Sequence, residues 1–477
     1  MSLLKLIYFI SIIFLAIYGY HSLVMTWYRF TKYKPSTRER ILSDIECPSV
    51  TIQLPLYNER YVAERLIKCI VNLDYPKDKL EIQILDDSTD DTKDIVKKII
   101  VQYQEKGLDI KQICRSERLG YKAGALKYGL VRAKGDFISI FDADFMPSPD
   151  FLKKTLAYFK GDQNIGCVQT RWGHLNRESS WLTRAQASGV DGHFIIEQEI
   201  RSKTSLFLNF NGTAGIWRRE CIIDAGGWHD DTLTEDLDLS FRAQLKGWQI
   251  CYTPYVITPA ELPVHISALK QQQFRWAKGS IQTSRKLLKD FWKSSQPLLV
   301  KLSGTLHLTN YLVHPLMLLN LVMSFLILIV GNQHFLWLPM FTFAAIGPSL
   351  MYWMALREEG KTIRESIFNL FMLLILGIGM SYNNTRAVTE ALFSIESPFK
   401  RTPKFNLRYN EQFNEASDYL ISTDVNFWVE LCLGIISIST MVFIAANGIL
   451  GPFFWMMLNG CGYLYIAYLS RKPFSAA

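Results

Sequence analysis

Residues 3 to 27, "LLKLIYFISIIFLAIYGYHSLVMTW", run for 25 positions with Lys5 as the only Lys, Arg, Asp or Glu. A hydrocarbon core is crossed by about 20 apolar residues, and no small-residue cleavage site follows, so the segment is expected to stay as an anchor. Arg29, Lys32, Lys34, Arg38 and Arg40 follow it while Lys5 alone precedes it. The positive-inside bias therefore expects the N-terminus outside and the chain from residue 29 onward in the cytoplasm. Any fold for this chain has to reconcile that anchor with the charged sequence after it.

Apolar stretches return at 304–330, 335–356, 366–380, 425–446 and 450–469, and Arg471 and Lys472 place the end inside. An outside start and an inside end require an odd number of crossings. The stretch 366–380, "SIFNLFMLLILGIGM", is short and runs into "SYNNTR", so it is read as a half-helix or interfacial element, which leaves five crossings. The expected organisation is a transmembrane helix at 1–28, a cytoplasmic domain at 49–265, an interfacial region at 266–300 and a transmembrane region at 304–477. Such a chain is a multi-pass protein of the cell's inner or plasma membrane. Within 266–300, "KQQQFRWAKGSIQTSRKLLKDFWK" interleaves Lys270, Arg275, Lys278, Arg285, Lys286, Lys289 and Lys293 with four aromatic residues, as an amphipathic interfacial helix does.

The net charge of +8 comes without a long basic tract, which points to a membrane surface and not to nucleic acid. Eight cysteines lie scattered without a C-x-x-C pair, a pattern of reduced, buried thiols and not of a zinc site or disulfide frame.

From residue 49 the periodicity changes. "SVTIQL" (49–54), "EIQIL" (81–85), "FISIF" (137–141) and "IGCVQT" (165–170) read as strands, and 59–72, 92–104 and 121–132 as helices. The alternation predicts an α/β domain with a largely parallel sheet, whose ligands bind at the carboxyl ends of the strands. Those exits are acidic: "PLYNE" (55–59), "DDSTDDT" (86–92) and "DAD" (142–144). Asp142 and Asp144, one residue apart at the end of an apolar run, cannot both be buried without a partner. A divalent cation with oxygen ligands, carrying a phosphate-bearing substrate, answers that need. "RSERLGYKAGAL" adds Arg115, Arg118 and Lys122 to a glycine-marked loop before a helix, an arrangement suited to phosphate.

"YNER", "LDDSTD", "GYKAGAL", "FDADF", "FNGTAGIWR", "TED" and "QQFRW", within one α/β domain bounded by membrane segments, resemble the processive family 2 glycosyltransferases. Within that family the chain looks closest to the cellulose synthase-like A group, which makes mannan and glucomannan, and its bacterial relatives. The resemblance covers about residues 50 to 290 and implies a Rossmann-like GT-A domain joined to transmembrane helices. It implies an inverting transferase that polymerises hexoses from UDP-glucose or GDP-mannose and translocates the glycan.

By the same resemblance, Asp86, Asp87, Lys122 and Asp142 bind the nucleotide, and Asp142 and Asp144 hold Mg2+ or Mn2+. Asp236 is the general base. Glu235, Gln272, Gln273, Arg275 and Trp276 face the diphosphate and acceptor, with Trp276 as a stacking floor. Phe210, Asn211, Gly212 and Thr213 form the acceptor loop. "SPFKRTPKF" (397–405) matches a gating loop through Phe399, Thr402 and Lys404, although Arg401 and Pro403 depart from its usual form. Trp217 and Trp172 are read as either sugar platforms or core aromatics. The alternatives are a non-processive transferase acting on a membrane lipid such as ceramide or diacylglycerol, and a glycan-binding scaffold without catalysis; the presence of every charged position the chemistry needs speaks against the latter.

Overall fold

The computed structural model describes residues 3–32, 41–330, 340–397, 402–406, 426–448 and 452–471. Lys34, Arg38, Arg40, Phe399, Arg401 and Lys472, on which parts of the topology and gating expectations rest, lie outside them.

Seven strands form one sheet: β1 (Val50–Leu56), β2 (Leu80–Asp86), β3 (Asp109–Ile113), β4 (Phe137–Ile140), β5 (Ile165–His174), β6 (Gly215–Arg218) and β7 (Gln249–Ala260). Their spatial order is β3-β2-β1-β4-β6-β5-β7. The pairings β1–β2, β1–β4, β2–β3 and β5–β7 are parallel, whereas β6 runs antiparallel to both β4 and β5. Strands β3, β6 and β7 are additions to the four read from the sequence, and β6 makes the sheet mixed.

Period-2 alternation sends Ile52, Leu54, Ile82 and Ile84 to one face, where they pack with Leu66, Ile70 and Val96 of the covering helices. The other face of β4 sends Ile138 and Ile140 into a second core with Leu126, Leu130, Trp217 and Trp228. Between β1 and β2 that second face is polar yet buried, so its groups must be satisfied internally. Glu81 meets the need: it accepts from Thr51 Oγ1 at 2.7 Å and from Lys134 N at 2.8 Å. Pro55, which has no N–H to give, lies beyond the four positions at which β1 pairs with β4.

The chain leaves β1 toward β2 and β3 on one side, then crosses to β4 on the other. Sheets of this kind bind ligands where the strand order reverses, at the carboxyl ends. That reversal falls between β1 and β4, and Asp142 and Asp144 follow β4 directly.

Among the described residues three helical stretches, Leu3–Thr31, Asn310–Ile329 and Phe427–Ala446, are long and apolar enough to cross a membrane. Ile363–Gly379 and Ser381–Leu392 are bent by 45° against each other, as a broken span or a re-entrant element is. The apolar stretches at 335–356 and 450–469 hold the 19-residue helices Met340–Glu358 and Phe453–Arg471.

The helix Ile266–Lys293 joins the two regions. Its basic residues are largely committed to protein partners. Lys270 pairs with Glu430, Lys278 with Glu390, and Lys286 with Asp231 and Asp238, while Arg285 donates to the Ala391 carbonyl and Ser394. Lys289, Trp292 and Lys293 remain exposed. The cysteines are all free, but the expectation of buried thiols holds only in part: Cys47, Cys167 and Cys221 are buried, whereas Cys114 and Cys432 are exposed.

Lys270 and Glu430 are both buried, 3% and 0% exposed, and Ser470 donates to the same carboxylate. Removing one partner of a buried pair leaves the other charge uncompensated. Glu430→Ala is expected to cost about 3–5 kcal/mol, read as a lower thermal midpoint in detergent. An unchanged midpoint would show that the pair does not hold the two regions together.

Candidate active site

The acidic strand exits converge, but their carboxylates are not equivalent. Asp86 closes β2 with no exposed surface; its Oδ1 accepts from Ser88 N at 2.9 Å and its Oδ2 from Gln112 Nε2 at 2.8 Å. Each Asp86 oxygen thus holds one bond that shapes the turn. Asp87 receives a two-point contact from Arg115, Nε to Oδ1 at 3.0 Å and Nη2 to Oδ2 at 2.5 Å. Arg115 also donates to the carbonyls of Leu119 at 2.7 Å and Tyr121 at 3.0 Å, fixing the loop in which Gly120 has φ +68°. Glycine takes that backbone conformation without strain. Arg118 lies over the Tyr57 ring at 3.3 Å.

That loop starts the helix Tyr121–Leu130 and so aims Lys122 at the crevice. Lys122 Nζ donates to Asp142 Oδ1 at 2.6 Å and to the Gly212 carbonyl at 2.9 Å, and lies 3.8 Å from Glu235. Burial opposes its charge, but Asp142, Glu235 and Asp236 outweigh that and raise its pKa. For Asp142 burial is likewise outweighed, by Lys122, Lys404 and Arg275, and its pKa is lowered. Both groups stay ionised at neutral pH.

Asp236 sits in the first turn of Glu235–Leu245. Its Oδ1 accepts from Leu237 N at 2.8 Å, leaving Oδ2 toward Gly212, where a Cβ would lie 2.9 Å from it. Gly212 has φ +81° and Ala214 φ +52°, so the "NGT" turn is bent into this approach. Thr213 is buried and its Oγ1 accepts from Asp142 N at 2.9 Å, which ties the turn to the DAD exit. Burial first, and the adjacent Glu235 charge second, push the Asp236 pKa up to about 7 against the pull of Lys122.

Arg275 approaches from the helix Ile266–Lys293; burial lowers its pKa against Glu235, Asp142 and Asp236, which hold the charge. Gln272, Arg275 and Trp276 are three and four residues apart and share a face; they and Gln273 are half-buried. Phe210 is fully buried against Trp217, with ring centroids 5.7 Å apart. Trp217 also has no exposed surface, so it is a core aromatic and not a sugar platform. Trp172 is half-buried, its ring 5.2 Å from both Phe145 and Phe194.

The segment 402–406 crosses the same crevice. Lys404 pairs with Asp144, Phe405 N donates to Glu261 at 3.2 Å, and Arg65 Nη1 donates to Asn406 at 2.7 Å. Burial opposes the Lys404 charge, yet Asp144, Glu59 and Asp142 push its pKa up to about 12. Thr402 is buried. Arg65, Glu261 and Asn406 were absent from the sequence reading; the one available signal was Arg65 beside Leu66 on the buried stripe of Ala63–Val71.

Asp142 and Asp144 fit a hard divalent cation. Both offer carboxylate oxygens, and each is neutralised here by a lysine ammonium, so the crevice is built around two units of positive charge. His229, Asp231 and Asp238 form another group of possible metal ligands among the described residues, but Lys286 and Arg242 are ion-paired within it.

Residues 48–279 match the family model described as glycosyltransferase like family 2. Over 274 residues the chain is 42% identical to "Glucomannan 4-beta-mannosyltransferase 2" of Arabidopsis thaliana, covering 55% of this chain and 51% of that protein. Over 249 residues it is 45% identical to "Probable glucomannan 4-beta-mannosyltransferase 7" of Oryza sativa subsp. japonica, covering 51% and 43%. The chain thus spans about half the length of the curated relatives it matches. A mannosyltransferase from Pyrobaculum calidifontis, solved in complex with GDP-Man and Mn2+, superposes with a TM-score of 0.55 at 21% identity, covering 83% of this chain and all of that one. At that identity the likeness establishes the fold, which is GT-A. Residues 48–279 are a family 2 glycosyltransferase domain, as the motifs led one to expect.

The Asp236 turn packs closely against the helix Ile266–Lys293 at Gly279. A Cβ at Gly279 would meet Thr234 Cγ2 at 2.5 Å, Oγ1 at 2.7 Å and the backbone N at 2.8 Å. Gly279→Ala is therefore expected to cost about 1–3 kcal/mol in thermal or denaturant unfolding. Adding Thr234→Ser should not restore the loss, because the backbone nitrogen stays in place; full restoration would contradict this packing.

Proposed function

We propose that the chain is a membrane-embedded, inverting β-hexosyltransferase that extends a β-1,4-linked mannan or glucomannan from GDP-mannose and passes the product among its apolar helices. The observation that carries the reading is Asp236, raised to about 7 and facing Gly212 opposite the Lys122–Asp142 pair. A base with that pKa is matched to taking a proton near neutral pH. The choice of mannose rests on the relatives at 42% and 45% identity, both named for mannosyl transfer in glucomannan. Those names lend no support to a lipid acceptor.

In this reaction an acceptor hydroxyl gives its proton to Asp236 Oδ2 while its oxygen bonds to the anomeric carbon of the donor sugar. The bond from that carbon to the diphosphate oxygen breaks, and its electron pair leaves with the nucleoside diphosphate. Lys122 and Arg275 meet the negative charge that develops. Asp142 and Asp144 would hold Mg2+ or Mn2+, which would add positive charge against the same phosphates. With one base and no second carboxylate acting as nucleophile, the displacement is single and the anomeric configuration inverts. Trp276 gives the acceptor sugar a flat apolar face, and Thr402 and Lys404 close the donor side.

The base must be ionised to act, so kcat/KM is expected to fall as pH drops through about 7, the value at which Asp236 takes up its proton. Glu235→Gln removes a charge that raises this pKa and should move the limb to lower pH. Asp236→Asn should cost about 10²–10⁴ in kcat with nucleotide binding retained. Full activity in Asp236→Asn, or a limb that Glu235→Gln leaves in place, would overturn the assignment.

A further inference from the structure

The acceptor loop continues into polar residues that the chemistry above does not use. Between Trp181–Asp191 and Glu199–Lys203 the chain forms a π-helix, Gly192–Gln198. Such wide turns are rare and recur at functional sites. The wide turn brings both Glu197 and Gln198, four and five residues on, against His193: Glu197 Oε2 lies 3.0 Å from Nδ1, and Gln198 Nε2 lies 3.1 Å from Nε2. Gly192 makes room for Tyr352, whose ring a Cβ would meet at 2.4 Å.

His193 Nε2 lies 3.1 Å from Asn211 Oδ1, next to Gly212 and hence next to Asp236. On the far side, Glu197 Oε1 accepts from Arg201 Nε at 2.9 Å and lies 3.1 Å from His307 Nδ1, and His307 Nε2 reaches Asn209 Oδ1 at 2.9 Å. Burial opposes ionisation of Glu197, but Arg201, His193 and His307 outweigh it and hold the carboxyl well below the usual range. A carboxylate oxygen accepts about two hydrogen bonds and an amide nitrogen donates two. Glu197 Oε2 has one contact here, and Asn211 Nδ2 one long bond of 3.4 Å to Asn209 O. The His193 and Glu197 side chains keep 27% and 20% exposure although Arg201 behind them has none. An acceptor and a donor, set at opposite ring nitrogens of His193, thus keep open hydrogen-bonding capacity, and the Asn211 end adjoins the proposed base through Gly212.

We propose that Glu197 and Asn211, bridged by His193, form a subsite that holds hydroxyls of the acceptor pyranose beside the hydroxyl that Asp236 deprotonates. The subsite takes a neutral polyhydroxylated ring, and it deepens the transferase reading on which it rests. Its position on the acceptor side separates it from donor binding.

The test uses the full chain in lipid nanodiscs with GDP-mannose, or UDP-glucose in parallel, and β-1,4-linked mannohexaose as acceptor. His193→Ala and Glu197→Gln are each expected to raise the acceptor KM about tenfold while the donor Kd, measured by calorimetry, stays within about twofold. His193→Gln, which keeps an amide donor, should recover most of the loss. Acceptor KM values unchanged in both variants would overturn the subsite. So would a joint rise of donor Kd and acceptor KM that His193→Gln does not relieve, since that marks a merely structural role. If the wild-type protein transferred nothing from either donor, the transferase reading would fall and the subsite with it.

Discussion

Three stretches distant in sequence meet at the Lys122 ammonium: Asp142 after β4, the Gly212 carbonyl before β6, and Glu235 at the head of its helix. Four carboxylates, Asp142, Asp144, Glu235 and Asp236, crowd this edge of the sheet, and like charges so placed stay ionised together only where cations divide them. Lys122, Arg275 and Lys404 do so, each arriving from a different part of the chain. At Asp236 burial first, and the adjacent Glu235 charge second, outweigh the pull of Lys122 and raise its pKa, which suits it to the proposed role of base.

The site is coupled to the apolar helices through Ile266–Lys293. Arg275 faces the carboxylates in its middle, Lys270 is paired with Glu430 in Phe427–Ala446 near its start, and Lys286 near its end is paired with Asp238, two residues from Asp236. Leu233 N donates to Gln282 of the same helix at 3.0 Å. A displacement of this rod would therefore move Arg275 and the Asp236 turn together. The polar network through Glu197 and Arg201 makes a second connection, reaching Ser303 and then His21 of the N-terminal helix.

Much of this was legible in the residues, for reasons particular to each. Strands β1, β2, β4 and β5 are largely apolar runs ending in turn signals, and acidic exits are conspicuous because a buried carboxylate needs a partner. Strand β3, "DIKQI", is a polar edge strand, β6 spans four residues, and β7 carries Pro254 and Pro259, so each lacks the pattern that marks a strand. Asp86 and Asp87 look alike in sequence, and only the turn geometry commits Asp86 to Ser88 and Gln112. Trp217 could not be assigned because a buried indole and a sugar platform have the same local spacing. His193 and Glu197 were invisible, since i and i+4 polar residues on an apolar segment read as ordinary helix, and the wide turn that turns them toward Asn211 has no sequence signature. Lys404 was reached only through the resemblance, and its partner Asp144 lies 260 residues away.

The most direct test of the central claim is to supply the lipid-reconstituted protein and Mn2+ with radiolabelled GDP-mannose and UDP-glucose in parallel, then size the product and digest it with linkage-specific glycanases. A long, mannanase-sensitive polymer formed from GDP-mannose is the predicted result. A small, organic-extractable labelled product, or no incorporation from either donor, would contradict it.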